Sequence, residues 1–167
     1  MPSLNRALYR ARQFLGALRP RVARSERDAA AAVLGERLLI LFDSMSARDQ
    51  RHCLDVYQAL RDSGCDDRDV LTAALLHDAG KGHLGGAPVR LWHRVAYVVL
   101  AGTAPGLLAR LARTGGLGTL RHHPEKGADL AAEFGAPPAV VELIRQHENR
   151  QAGERRLRRL RAADDAC

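Results

Sequence analysis

The chain has 167 residues, with 26 Lys plus Arg against 19 Asp plus Glu and a formal charge of +7. At this length one domain is expected, and 46% hydrophobic with 27% charged residues excludes a disordered chain. Only 4% of residues are aromatic, so the core has to be aliphatic, and the longest uncharged apolar run, Val95–Ala109, is shorter than the roughly 20 residues a spanning helix needs.

Helical spacing dominates from the start, and no run alternates apolar and polar for long enough to demand a strand. Leu4, Leu8, Ala11, Leu15 and Leu18 step by three and four between a cap at Ser3 and a stop at Pro20. With Arg6, Arg10 and Arg12 on its other face, this is a basic amphipathic helix, suited to packing on its own domain or to peripheral contact with an anionic membrane. Further helices are predicted over Glu26–Phe42, Ala47–Leu60 and Asp67–Ala79. A glycine-rich break from Gly80 to Gly86 leads into an apolar helical stretch interrupted near Pro105. A second glycine-rich loop, Thr114–Gly118, precedes short helices at 124–134, 137–148 and 153–165. The fold expected is all-α, a compact helical bundle in which residues 1–45 form a helical extension packed on a domain at 46–167. No apolar signal segment follows Met1, and Cys53, Cys65 and Cys167 show no CxxC pairing, which suits free thiols in the cytoplasm.

The helix 67–79 is apolar nearly all round, yet ends in His77-Asp78, with Lys81 a turn later. Asp78 follows Ala74 and Leu75 by four and three residues, so it projects into the core, where a carboxylate has to find a cation. The same spacing puts Asp164 on a stripe with Leu157 and Leu160, and His147 on one with Val140 and Ile144. It puts His123, but not His122, in line with Gly127 and Leu130, and sets His52 one turn before Val56. Gly127 is expected to clear space on that face for a metal or phosphate. Titratable groups on core-facing stripes of five helices point to a mixed imidazole–carboxylate site for Mn, Fe, Co, Ni, Zn or Mg, or to a metal-free hydrogen-bonded network. A zinc site using Cys53 has the wrong spacing.

With His52, His77-Asp78-Ala79-Gly80-Lys81 and Asp164 in that order, the chain resembles the HD superfamily of metal-dependent phosphohydrolases. His123-Pro124-Glu125-Lys126-Gly127 and His147-Glu148 make it similar to the branch that includes the HD-GYP phosphodiesterases. It departs from that branch in having no GYP after His147, and Gln146 where the branch has a second histidine. The resemblance implies metal-assisted hydrolysis of a nucleotide or other phosphate ester, with one or two divalent ions. His52, His77, Asp78 and Asp164 would hold the first; Asp78, His123 and His147 the second. Lys81 would pair with a phosphate or orient Asp78. No acidic residue lies between Asp78 and Glu125, so Lys81, Arg90 and Arg94 are expected to bind the substrate phosphate. The alternative is a weakly catalytic module that senses a nucleotide. Nucleic acid is disfavoured because the basic segments carry few aromatics for base stacking.

Overall fold

The computed structural model describes residues 21–151 and 153–167. The amphipathic helix expected over Leu4–Leu18 lies outside them. Among the described residues the fold is all-α, with eight α-helices, one 3-10 turn and no strand. The helices are α1 (Arg24–Ser44), α2 (Ala47–Asp62), α3 (Arg68–Leu76), α4 (Leu91–Thr103), α5 (Pro105–Leu111), α6 (Gly115–Glu133), α7 (Pro138–Gln146) and α8 (Arg155–Asp164). The 3-10 turn, Ala79–Lys81, follows α3.

Helix α3 is the axis of the bundle. Every residue from Val70 to Leu76 is buried, so it needs partners all round, and α1, α2, α7 and α8 supply them. Asp67 caps it, accepting from the amides of Asp69 (3.1 Å) and Val70 (3.3 Å), and Arg156 of α8 pairs with the same carboxylate at 2.8 Å. The core is aliphatic, as expected. Leu41, Leu60, Leu75, Ile144 and Leu160 are fully buried, and among the described residues Phe42 is the one fully buried benzene ring.

Three segments depart from the sequence expectation. The alanine-rich run of α1 contains a break at Gly35, whose φ of 70° only glycine adopts cheaply. The arms 24–34 and 36–44 fold back on each other there. Arg27 pairs with Asp43 at 2.5 Å, whereas sixteen residues of straight helix would part them by about 24 Å. The helix predicted to reach Ala79 stops at Leu76, leaving His77 and Asp78 in the turn beyond it.

The third departure is α6. The glycine-rich stretch after Thr114 is not a loop but its first turns, and the helix expected from 124 is its second half. Glycine serves packing here, since a Cβ on Gly116 would sit 2.4 Å from the His93 ring. Pro124 therefore lies inside the helix, not at its first position.

The 3-10 turn and α6 meet backbone to backbone. A Cβ on Gly80 would lie 2.1 Å from the His123 carbonyl oxygen, and one on Gly127 would lie 3.1 Å from the Gly80 amide nitrogen. Gly127 thus does not open space for a metal or phosphate, because the Gly80 backbone and Ile144 fill that space. The two glycines instead set how closely His123 approaches Asp78. Gly80→Ala is expected to cost about 3 kcal/mol, the upper range for overpacking, and to lower Tm by about 6–12 °C. Thermal unfolding followed by circular dichroism checks this, and an unchanged Tm would show that the contact yields freely.

Candidate metal centre

Five helices deliver six side chains to one place. His52 comes from the middle of α2, His77 and Asp78 from just past α3, His123 from the middle of α6, His147 from just past α7, and Asp164 from the end of α8. His77, Asp78, His123 and His147 are buried, while His52 and Asp164 are about 30% exposed.

Three of the imidazoles are held by the same device. His77 Nδ1 lies 2.9 Å from the Ala74 carbonyl, His123 Nδ1 2.8 Å from Leu120 and His147 Nδ1 2.7 Å from Ile144, each three residues back. A carbonyl only accepts, so each Nδ1 carries a proton, which leaves Nε2 as the nitrogen that can offer a lone pair once it is deprotonated. The acceptors have a reason to be available. Ala74 and Ile144 stand in the last turns of α3 and α7, where helical carbonyls lack following amides. Leu120 stands four residues before Pro124, which has no N–H to give it. The proline inside α6 thereby frees the carbonyl that orients His123.

Four Nε2 atoms, that of His52 included, gather around two carboxylates. His77 Nε2 is 3.7 Å from Asp78 Oδ1 and 3.6 Å from Asp164 Oδ1, and His52 Nε2 reaches the same Asp164 oxygen at 2.8 Å. His123 Nε2 is 3.4 Å from Asp78 Oδ1 and 3.2 Å from His147 Nε2. Lys81 Nζ closes on Asp78 Oδ1 at 2.7 Å. His122 is exposed, as its place off the stripe requires.

The charges in the centre are strongly coupled. Burial alone would raise the Asp78 carboxyl, but Lys81 and His77, and then His123, hold it well below the usual carboxylate range. Asp164 is likewise held down, against its burial, by the hydrogen bond from His52 and by the His77 ring, whose Nε2 lies 3.6 Å away, too far for a hydrogen bond. Burial and the neighbouring His77 and His123 push His147 down to about 3. Burial also disfavours charge on His77, yet Cys53, Asp78 and Asp164 outweigh it and hold His77 well above its ordinary value. Since burial pushes the Cys53 thiol up, the two carboxylates do this at neutral pH.

A divalent cation fits this arrangement. His77 Nε2 is buried with no hydrogen-bond partner, and His123 Nε2 and His147 Nε2 lie 3.2 Å apart, close enough for one cation to take the lone pairs of both. Two groups of three have ligand atoms within 4.8 Å of one another: His52, His77 and Asp78, and Asp78, His123 and His147. Opposed ligands on one ion sit up to about 4.4 Å apart, so only a small contraction is needed. Donors of nitrogen and oxygen without sulfur suit Mn, Fe, Co, Ni or Zn.

A cleft of about 310 Å³ opens beside the centre, lined by His147, Glu148, Arg150, Arg161, Asp164 and Asp165. The two expected phosphate-binding arginines do not line this cleft. Arg94 is taken by buried Asp49 at 2.6 Å, and Arg90 is exposed at the N-terminus of α4. Arg150 and Arg161 were missed in the sequence, although Arg161 precedes Asp164 by three residues and so shares its helix face.

The family model described as HD domain matches residues 50–167, a span that includes all six converging side chains. No curated protein and no solved structure matches the chain.

Below the raised pKa of His77 an incoming ion has to displace a proton from Nε2. Affinity for Mn or Zn is therefore expected to rise between pH 6 and pH 8, by about tenfold per unit while one proton is released. Calorimetric titration in buffers of different ionisation enthalpy measures both, and pH-independent binding would refute this tautomer assignment.

Proposed function

The chain belongs to the HD domain family, whose members are generally metal-dependent hydrolases, and on that premise we propose that it hydrolyses a phosphate ester, such as a nucleotide, in the cleft beside His147. The observation that carries this reading is the buried, unpartnered Nε2 of His77 in a ring of lone pairs around an ionised carboxylate. A hydrogen-bonded network without metal would have paired that atom.

His52, His77, Asp78 and Asp164 would hold one ion, and Asp78, His123 and His147 a second, as in the HD-GYP-like branch. A divalent ion there supplies Lewis acidity to a phosphoryl oxygen and makes a water nucleophilic near neutral pH. The chain does the remaining work. Lys81 keeps Asp78 ionised and fixes which oxygen faces the histidines. The backbone carbonyls behind His77, His123 and His147 keep each ring in the tautomer that donates its lone pair. Arg150, paired with Asp165, and Arg161, which donates to the Asn149 carbonyl, line the mouth of the cleft and would turn to the phosphate, whose oxygens their planar guanidinium groups match. Glu148, with Oε1 3.7 Å from His123 Nε2 and more than half exposed, is placed to accept a proton from the attacking water. Free Cys53, Cys65 and Cys167 suit work in a reducing compartment.

Asp78→Asn is expected to lower turnover of bis(p-nitrophenyl) phosphate or a nucleotide by at least about 10³-fold, with loss of bound metal and an intact helical spectrum. Full activity in that variant would end the assignment. A wild-type chain that binds metal but turns over no phosphate ester would instead be a nucleotide-sensing module. The double variant Arg150→Ala/Arg161→Ala is expected to raise KM about tenfold while changing kcat little, the signature of lost ground-state binding in steady-state kinetics.

A further inference from the structure

Helix α4 is amphipathic in the wrong sense for a water-facing helix. At 100° per residue, Leu91, Trp92, Val95, Val98 and Val99 fall within an arc of about 120°. All five are exposed, Val98 at 72% and Trp92 at 57%, and no residue of the helix is buried. The opposite face, turned to the domain, holds the polar groups. His93 stacks over Gly116, Arg94 pairs with Asp49, and Tyr97 is half-buried. Helix α5 extends the apolar surface with Leu107 and Leu111, both about half exposed. A contiguous apolar face of this kind marks a binding surface.

The charge that this segment itself contributes has one sign. Between Asp78 and Glu125 there is no acidic residue, and Arg90, Arg110, Arg113 and Arg121 are all exposed. Arg110, Arg113 and Arg121 gather with His122 around a cleft of about 420 Å³ that runs from α5 to α6. An apolar helix beside a cluster of arginines matches the cross-section of an anionic bilayer surface, where acyl chains meet phosphate headgroups. We propose that α4 and α5 lie on an anionic phospholipid membrane. Trp92, Val95, Val98 and Val99 enter the boundary of headgroup and acyl chain, and Arg110, Arg113 and Arg121 take lipid phosphates.

Other occupants fit the charge less well. A second copy packed on this face would bring two acid-free arginine clusters together. Residues 1–20 contain four arginines and no acid, so they too would bring like charge to it. Nucleic acid would leave the apolar arc in water.

The chain reports on the proposal itself, because Trp92 is its only tryptophan. The full-length protein is titrated with phosphatidylcholine vesicles and with vesicles mixing phosphatidylcholine and phosphatidylglycerol three to one. Trp92 emission is expected to shift to the blue with the mixed vesicles, with binding at least about tenfold tighter than to phosphatidylcholine and weakened by salt. Val95→Asp/Val98→Asp is expected to lose the binding by at least about tenfold while keeping helical content and phosphodiesterase activity. Arg110→Glu/Arg113→Glu is expected to abolish the preference for anionic lipid. No shift with either vesicle, an equal shift with both, or unchanged binding in the valine variant would overturn the proposal. So would a Trp92 already shielded from acrylamide before lipid is added, since residues 1–20 or a second copy would then cover the face.

Discussion

The centre depends on a single repeated constraint: a buried imidazole can offer a lone pair inward only if its other nitrogen has somewhere to put a proton. His77, His123 and His147 each meet it with a carbonyl three residues back. Such carbonyls are normally consumed by the helix, so the chain has to interrupt its own ladder wherever a histidine is to be aimed. It ends α3 at Leu76, ends α7 at Gln146, and places Pro124 inside α6. Helix boundaries that look arbitrary as secondary structure are the means by which the rings are oriented.

The rest of the fold makes the convergence tight enough for those lone pairs to matter. Gly80 and Gly127 let the turn after α3 touch the backbone of α6, which brings His123 Nε2 within 3.4 Å of Asp78. In such a dry site the groups set one another's charge. Lys81 at 2.7 Å keeps Asp78 an anion, the two carboxylates hold a proton on His77, and His77 with His123 keeps His147 neutral. The cluster thus holds one proton where a doubly charged ion would satisfy every donor.

Much of this was legible in the sequence, because helical periodicity reports direction. The spacing of Asp164 from Leu157 and Leu160, and of His123 from Leu130, separated inward groups from outward ones and distinguished His123 from His122. What periodicity cannot report is a contact between backbones. Gly127 read as empty space, yet it is filled by Gly80, and the glycines before Leu120 read as a loop although they are small residues packed inside a helix. Nor does it pair charges across elements, so the ion pair of Arg94 with buried Asp49 was not foreseen. The break at Gly35 was invisible for a related reason, since the alanines around it favour helix whether or not the chain turns.

That break divides the first helix into parts of unequal permanence. The arm 36–44 is anchored by Leu38, Leu41 and Phe42 in the core. The arm 24–34 brings Ala30 and Leu34 to it, with Val33 partly buried alongside, and is further fastened by surface ion pairs, Arg27 with Asp43 and Glu26 with Arg51. Ion pairs in water hold weakly and yield to salt, and a glycine at the junction lets one arm leave without unwinding the other. The outer arm can open as its own cooperative unit, so its amides exchange with solvent sooner than those of the arm it folds against, and sooner still as ionic strength rises.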